Sequence, residues 1–173
     1  DSANNIVRSG PIALVAYPPV DLAVLDLTGP SNGMSGIPIA VHYRVQNIGA
    51  GATLATTWTD RLYLSPDTSL EPNGDILLAR IPRTGAVPAG GGYQRDLAVN
   101  LPNGIAGTFY VIAAIDSGNQ SSDNVLNNNT ARTATPVAVT LSASPDLQLA
   151  SSSAPTAGTS GQPLKVTWSA AET

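Results

Sequence analysis

Seven oxygen-bearing side chains in two polar stretches are the residues of this chain best suited to chemistry. Asp67, Glu71, Asn73 and Asp75 sit close together in PDTSLEPNGD, and Asp116, Asn119 and Asp123 sit in an Asn-rich segment that runs on to Asn127 and Asn128. Hard cations such as Ca2+ take about six to eight oxygens from carboxylates, amide carbonyls and backbone. Both stretches are therefore candidate calcium loops. The first lacks the ligand spacing and closing glutamate of the helix-flanked calcium loop. The simpler reading of both is a solvated turn, because Asn and Asp side chains bond backbone groups at turns.

Catalysis is poorly provided for. The chain has one histidine, His42, and no cysteine. Thiolate metal sites and cysteine nucleophiles are excluded, and a histidine-centred triad could be built only around His42. Alternation places His42 on a solvent face, with no neighbour in sequence to orient it. Asp67 and Asp75 could share acid and base work only in a cleft, which the sequence does not show. Eight Lys and Arg against twelve Asp and Glu give a net charge of −4. The basic residues are scattered, which argues against nucleic acid as a partner. No run reaches the roughly 20 apolar residues of a membrane helix, so no membrane insertion is expected in this segment.

The elements that must carry these residues are strands. Only 12% of residues are charged, while 16 glycines and 14 prolines punctuate the chain, a composition that favours short strands and many turns. The clearest strand is Ile37 to Gln46, with Ile39, Val41, Tyr43 and Val45 on one face and Ala40, His42 and Arg44 on the other. Trp58 to Leu64 follows, with Trp58, Leu62 and Leu64 inward. Asp60 shares that inward face, a place with no physical account for a carboxylate unless it lies at a sheet end with a partner. Further strands are expected at Asp21–Leu27, Ile76–Ile81, Tyr93–Leu101, Phe109–Ile115 and Ala131–Leu141, with a turn at Asn32 and Gly33. Seven or so short antiparallel strands make an all-β, two-sheet sandwich the expected architecture, with a closed barrel as the alternative.

The sequence also repeats itself. VDLAVLDLTGPSNGMSGIPIAVHY, from Val20 to Tyr43, returns without a gap as PDLQLASSSAPTAGTSGQPLKVTW, from Pro145 to Trp168. Asp21 falls on Asp146, Pro30 on Pro155, Gly36 on Gly161 and Val41 on Val166, each 125 residues on. Such self-similarity marks a tandem array. Pro11 and the apolar run Ile12–Val15 stand at the same offset before Pro136 and Val137–Thr140. Residues 1–19 therefore read as the last strand of a preceding repeat plus a stiff Tyr17-Pro18-Pro19 linker. Residues 20–142 read as a complete repeat, and 143–173 as the first two strands of a following one.

The ordered pieces PVDLAV, VHYRVQNIGAG, WTDRLYLSPDTSLEPNGDILL, LPNGIAGTFYVIAAID and DNVLNNNTA resemble the bacterial cell-adhesion-related domain (CARDB). The resemblance spans Val20 to Leu141. It implies an immunoglobulin-like sandwich found in tandem on secreted and surface proteins, hence an extracellular or bacterial cell-surface location. It also directs attention to an acidic residue shortly before the closing Asn-Asn, for which Asp123 is the nearest match. A single ligand is not implied, since this sandwich hosts many functions.

The resulting expectation is a non-catalytic structural and adhesion module. Its partners would be neighbouring copies of the same repeat, in the same chain or another, and a surface or matrix ligand. Strand complementation through the end segments would give head-to-tail filaments. The alternative is a calcium-dependent module that binds a ligand such as carbohydrate.

Overall fold

The computed structural model describes residues 8–143 and 146–172. In chain order the strands are β1 (Leu22–Thr28), β2 (Asn32–Met34), β3 (Pro38–Asn47), β4 (Thr57–Ser65), β5 (Ile76–Thr84), β6 (Gly92–Asn100), β7 (Gly107–Ala114), β8 (Thr130–Arg132), β9 (Val137–Thr140), β10 (Leu147–Ser153) and β11 (Thr167–Glu172). A single 3-10 turn, Leu126–Asn128, is the one helical element among the described residues. None of them forms a helix long and apolar enough to cross a membrane.

One sheet has the order β1-β3-β6, and the other has the order β2-β9-β7-β4-β5 with β8 also on β7. Alternation builds the contact between them. Ile39, Val41, Tyr43 and Val45 of β3, with Leu22 and Val99, pack against Trp58, Leu62, Leu64, Val111, Ala113, Val137 and Val139 of the other sheet in one core. Burial of each such aliphatic side chain contributes roughly 1.5–3 kcal/mol. The result is the expected all-β sandwich.

A bulge explains one apparent inconsistency in the pattern. Leu22 and Leu27 are both buried, although an odd spacing puts side chains on opposite faces of a regular strand. The β1–β3 register shifts between Val24 and Asp26, and the extra residue, Leu25, turns outward. A bulge of this kind re-aims every side chain beyond it.

The structure corrects three sequence expectations. The turn at Asn32 and Gly33 is a short strand, β2, that pairs in parallel with β9. The single last strand over Ala131–Leu141 is two strands, β8 and β9, because residues 133–136 span a length over which β7 advances only two residues. Pro136 has no N–H to give to a ladder, and Thr133 bridges the break: its N–H donates to the Val111 carbonyl (2.9 Å) and its Oγ1 accepts from the Val111 N–H (3.3 Å). Residues 12–16, expected as a strand, lie outside any strand, with Leu14 and Val15 more than 90% exposed.

Past this exposed segment, the chain is strapped down. The Tyr17 hydroxyl donates to the Ala52 carbonyl (3.0 Å), and the Gly51 N–H donates to the Pro19 carbonyl (2.8 Å). Gly51 is required by this approach, since a Cβ there would stand 2.1 Å from the Pro18 carbonyl oxygen.

β10 and β11 form a separate two-stranded ribbon whose register copies that of β1 and β3. Leu22 opposite Asn47 becomes Leu147 opposite Glu172, and Thr28 opposite His42 becomes Ser153 opposite Thr167. The shift between Val24 and Asp26 recurs between Leu149 and Ser151. Burial does not recur: Tyr43 is fully buried, whereas Trp168, at the matching position, is 71% exposed.

Candidate functional site

The two polar loops singled out in the sequence close over the same end of the β4–β7 sheet. Leu70 and Pro72 from the first loop and Asp116 and Asn119 from the second line one cavity of about 350 Å3. Leu70 also packs on a small second core of Tyr63, Ile112 and Ala114, on the sheet face away from the main core. The apolar side of the first loop thus holds it in place, while its acidic residues face water.

Within the first loop, Asp67 Oδ1 accepts from the Ser69 N–H (2.7 Å), and Asp75 Oδ2 accepts from the Glu71 N–H (2.8 Å). Asp67, Glu71 and Asn73 are exposed and Asp75 is partly so. The first is the bond of an Asx turn, and the second closes the loop on itself.

The second loop uses its carboxylates more fully. Asp116 and Asn119 adopt left-handed backbone angles, with φ of 43° and 47°, a region that Asn and Asp tolerate best among non-glycine residues. Asp116 is buried, and its two oxygens accept from the N–H groups of Gln120 and Ser121, both at 2.7 Å. Asn119 Oδ1 accepts from the Asp123 N–H (2.9 Å). Asp123, also buried, accepts from Leu22 N–H (2.9 Å) and Val125 N–H (2.8 Å), so it ties the loop to the start of β1. Asn128 reaches the same region by donating to Asp21 Oδ1 (2.7 Å). The described residues contain no group of three or more His, Cys, Asp or Glu side chains placed to hold a metal ion. A cation at either loop would compete with backbone N–H donors for the same oxygens.

His42 lies where alternation put it, on the outer face of the β1-β3-β6 sheet. Its neighbours come from adjacent strands, not from nearby sequence. Nδ1 is 2.8 Å from Asp96 Oδ1, and Nε2 is 4.0 Å from Asp26 Oδ2. Asp96 lies directly opposite His42 on β6, a pairing that emerges only once the register is fixed. The group is open to water, with Asp96 side-chain exposure at 75%, and lacks the water-excluded setting that strengthens catalytic electrostatics.

Asp60 has the partners its burial demands. The hydroxyls of Tyr43 and Tyr93 both donate to Oδ2 at 2.9 Å, and the Asp116 N–H donates to Oδ1 at 3.1 Å. Trp58 Nε1 reaches the Tyr93 hydroxyl at 3.4 Å. Arg83 lies between the Trp58 and Tyr93 rings, 4.3 and 4.4 Å from their centroids, close enough for cation–π attraction. Burial drives the ionisation of this cluster: it pushes the Asp60 carboxyl and both phenols up and the Arg83 guanidinium down. For Asp60, its three donors and the charge of Arg95 act in the opposite direction.

Comparison with solved structures places this architecture. A crystal structure of the CARDB domain of a Pyrococcus furiosus protein, in complex with di-metal ions, superposes with a TM-score of 0.52, at 17% identity, covering 78% of this chain and all of that one. The fold is CARDB-like. A solution structure of the same domain matches at a TM-score of 0.49 and 19% identity, covering 72% of this chain and 97% of that one. A Listeria innocua β-glucosidase in complex with isofagomine matches at a TM-score of 0.40 and 17% identity, over 71% of this chain and 16% of the enzyme. No protein family model and no curated protein matches the sequence.

Proposed function

We propose that the chain is part of a tandem extracellular array of CARDB-like sandwiches that spaces and presents adhesive regions without catalysis. The observation that carries this reading is the β10–β11 ribbon. It repeats every pairing of β1 with β3, bulge included, at the 125-residue offset of the sequence repeat. Residues 20–142 are then one unit and the ribbon opens the next. Its apolar residues, Leu147, Leu149, Leu164, Val166 and Trp168, are all more than half exposed. They match positions that the second sheet of the preceding unit covers. Strands from a neighbouring copy that covered them would join molecules head to tail, which is the filament form of the same reading.

Light scattering over a concentration series tests this. The 173-residue chain is expected to grow into larger species as concentration rises, and a version ending at Ser142 is expected to stay monomeric with nearly the same melting temperature. Monomers in both cases would remove the filament. Unfolding of the shorter chain would overturn the unit boundary.

A calcium-dependent reading rests on the di-metal ions of the Pyrococcus furiosus domain. Under it, Asp67, Glu71, Asn73 and Asp75, or Asp116, Asn119 and Asp123, would release backbone N–H groups to bind the ion. The measurable consequence is a rise in melting temperature with calcium that chelator reverses. Equal melting with calcium and with chelator would discard it.

A further inference from the structure

The cavity beneath the two loops has polar features that the fold itself leaves unused. Arg61 and Tyr63 project from β4 on the face away from the main core, and both line the cavity. Arg61 is partly buried, its Nε is fully so, and its guanidinium makes no hydrogen bond or ion pair among the described residues. Arg80 lies directly opposite it on β5. Like charges in that arrangement repel, so the sheet gains nothing from having both. Asn129, only 5% exposed, also lines the cavity, and its Oδ1 has no donor. A half-buried guanidinium and a buried acceptor, both without a partner, thus line one cavity, and a buried polar atom calls for a partner.

From this we infer that the cavity binds a small carboxylate that also carries a hydroxyl or amine donor. The carboxylate would lie on the Arg61 guanidinium, the geometry for which Arg is best suited. The O–H or N–H donor would meet Asn129 Oδ1. Leu70, Pro72 and Leu126 supply apolar wall. A volume of about 350 Å3 is at the lower end of ligand sites, large enough for one sugar acid or one amino acid and too small for a chain of them. Asp116 does not oppose an anion here as a free carboxylate would, because both its oxygens are already held by N–H donors. The site is thus an alternative to the calcium reading of Asp116 and Asn119, which would release those donors, and does not depend on the array reading.

The test is a 1H–15N NMR titration of the 173-residue chain with glucuronate, glucose and alanine. Glucuronate or alanine is expected to shift the Asn129 side-chain amide and the backbone of Gly118 and Asn119, while glucose leaves them in place. Whichever of the two acids binds identifies the source class. Arg61→Met is expected to weaken binding about tenfold or more, equivalent to about 1.4 kcal/mol, with a spectrum otherwise as dispersed as the parent's. Asn129→Leu, which removes the acceptor at nearly the same volume, is expected to weaken it as well. No localised shift with either acid would overturn the inference. So would binding that Arg61→Met leaves unchanged, or equal shifts around Arg132, which would mark general charge attraction.

Discussion

Asp60→Ala is expected to lower the unfolding free energy by roughly 2–5 kcal/mol, through the buried donors it leaves without an acceptor. Three donors converge on this carboxylate: the Tyr43 and Tyr93 hydroxyls and the Asp116 N–H. An orphaned buried donor costs about 1–3 kcal/mol. The relief of no longer burying a carboxylate offsets part of that sum. Since a domain of this size has about 5–15 kcal/mol in all, the variant should unfold at much lower urea. A loss below about 1 kcal/mol would mean that desolvation cancels all three bonds.

The pH dependence has a definite sign. Burial raises the Asp60 carboxyl above its ordinary value. Between the ordinary value and the raised one, the folded chain holds a proton that the unfolded chain has released. The stability this contributes is full below the unfolded value and is lost as pH rises through the folded one. Asp60→Asn removes that titration. Urea midpoints of the parent should therefore fall relative to those of Asp60→Asn as pH climbs through this window. Parallel profiles would show that the donors and Arg95 hold the carboxyl at its ordinary value.

Asp60 also shows how far the sequence could be read. Its inward position followed from its period-two spacing with Trp58 and Leu62, and so did its need for a partner. Which residues answered that need did not, because Tyr43, Tyr93 and Asp116 arrive from three other parts of the chain. The burial of Ile39, Val41, Tyr43 and Val45, and the outward place of His42, were legible for the same periodic reason. Parallel pairing of β2 with β9 was not, since three residues that include a glycine carry no periodic signal. The break at residues 133–136 had only Pro136 to announce it. In the loops, residue type pointed to Asp116 and Asp123, but not to what they bind: a carboxylate suited to calcium is equally suited to a row of backbone N–H groups. Arg61 drew no attention because one charged residue on an alternating strand usually faces water. It takes the loop folded over it, held by Leu70, to turn that position into the wall of a cavity.

Asn47, the last residue of β3, carries a comparable share of the structure. It is fully buried. Its Nδ2 donates to the carbonyls of Gly51 (2.8 Å), Val87 (3.1 Å) and Pro88 (3.3 Å), and its Oδ1 accepts from the N–H groups of Gly49 (3.1 Å) and Asp21 (3.3 Å). One side chain thus joins the end of β3, the loop before β6 and the start of β1. It also holds the Gly51 loop on which Tyr17 to Pro19 are strapped. Asn47→Ala should cost roughly 2–4 kcal/mol through the backbone groups it leaves without partners. Asn47→Asp should cost more at neutral pH, despite its nearly identical shape, because an ionised oxygen would replace the amide among three carbonyl oxygens. Protonation restores one donor, so the Asn47→Asp variant should regain part of its stability as pH is lowered, opposite to the usual acid weakening of a fold. Thermal unfolding of the two variants from neutral to mildly acid pH gives the comparison. Should Asn47→Asp match the parent at neutral pH, the three carbonyl bonds would contribute nothing net.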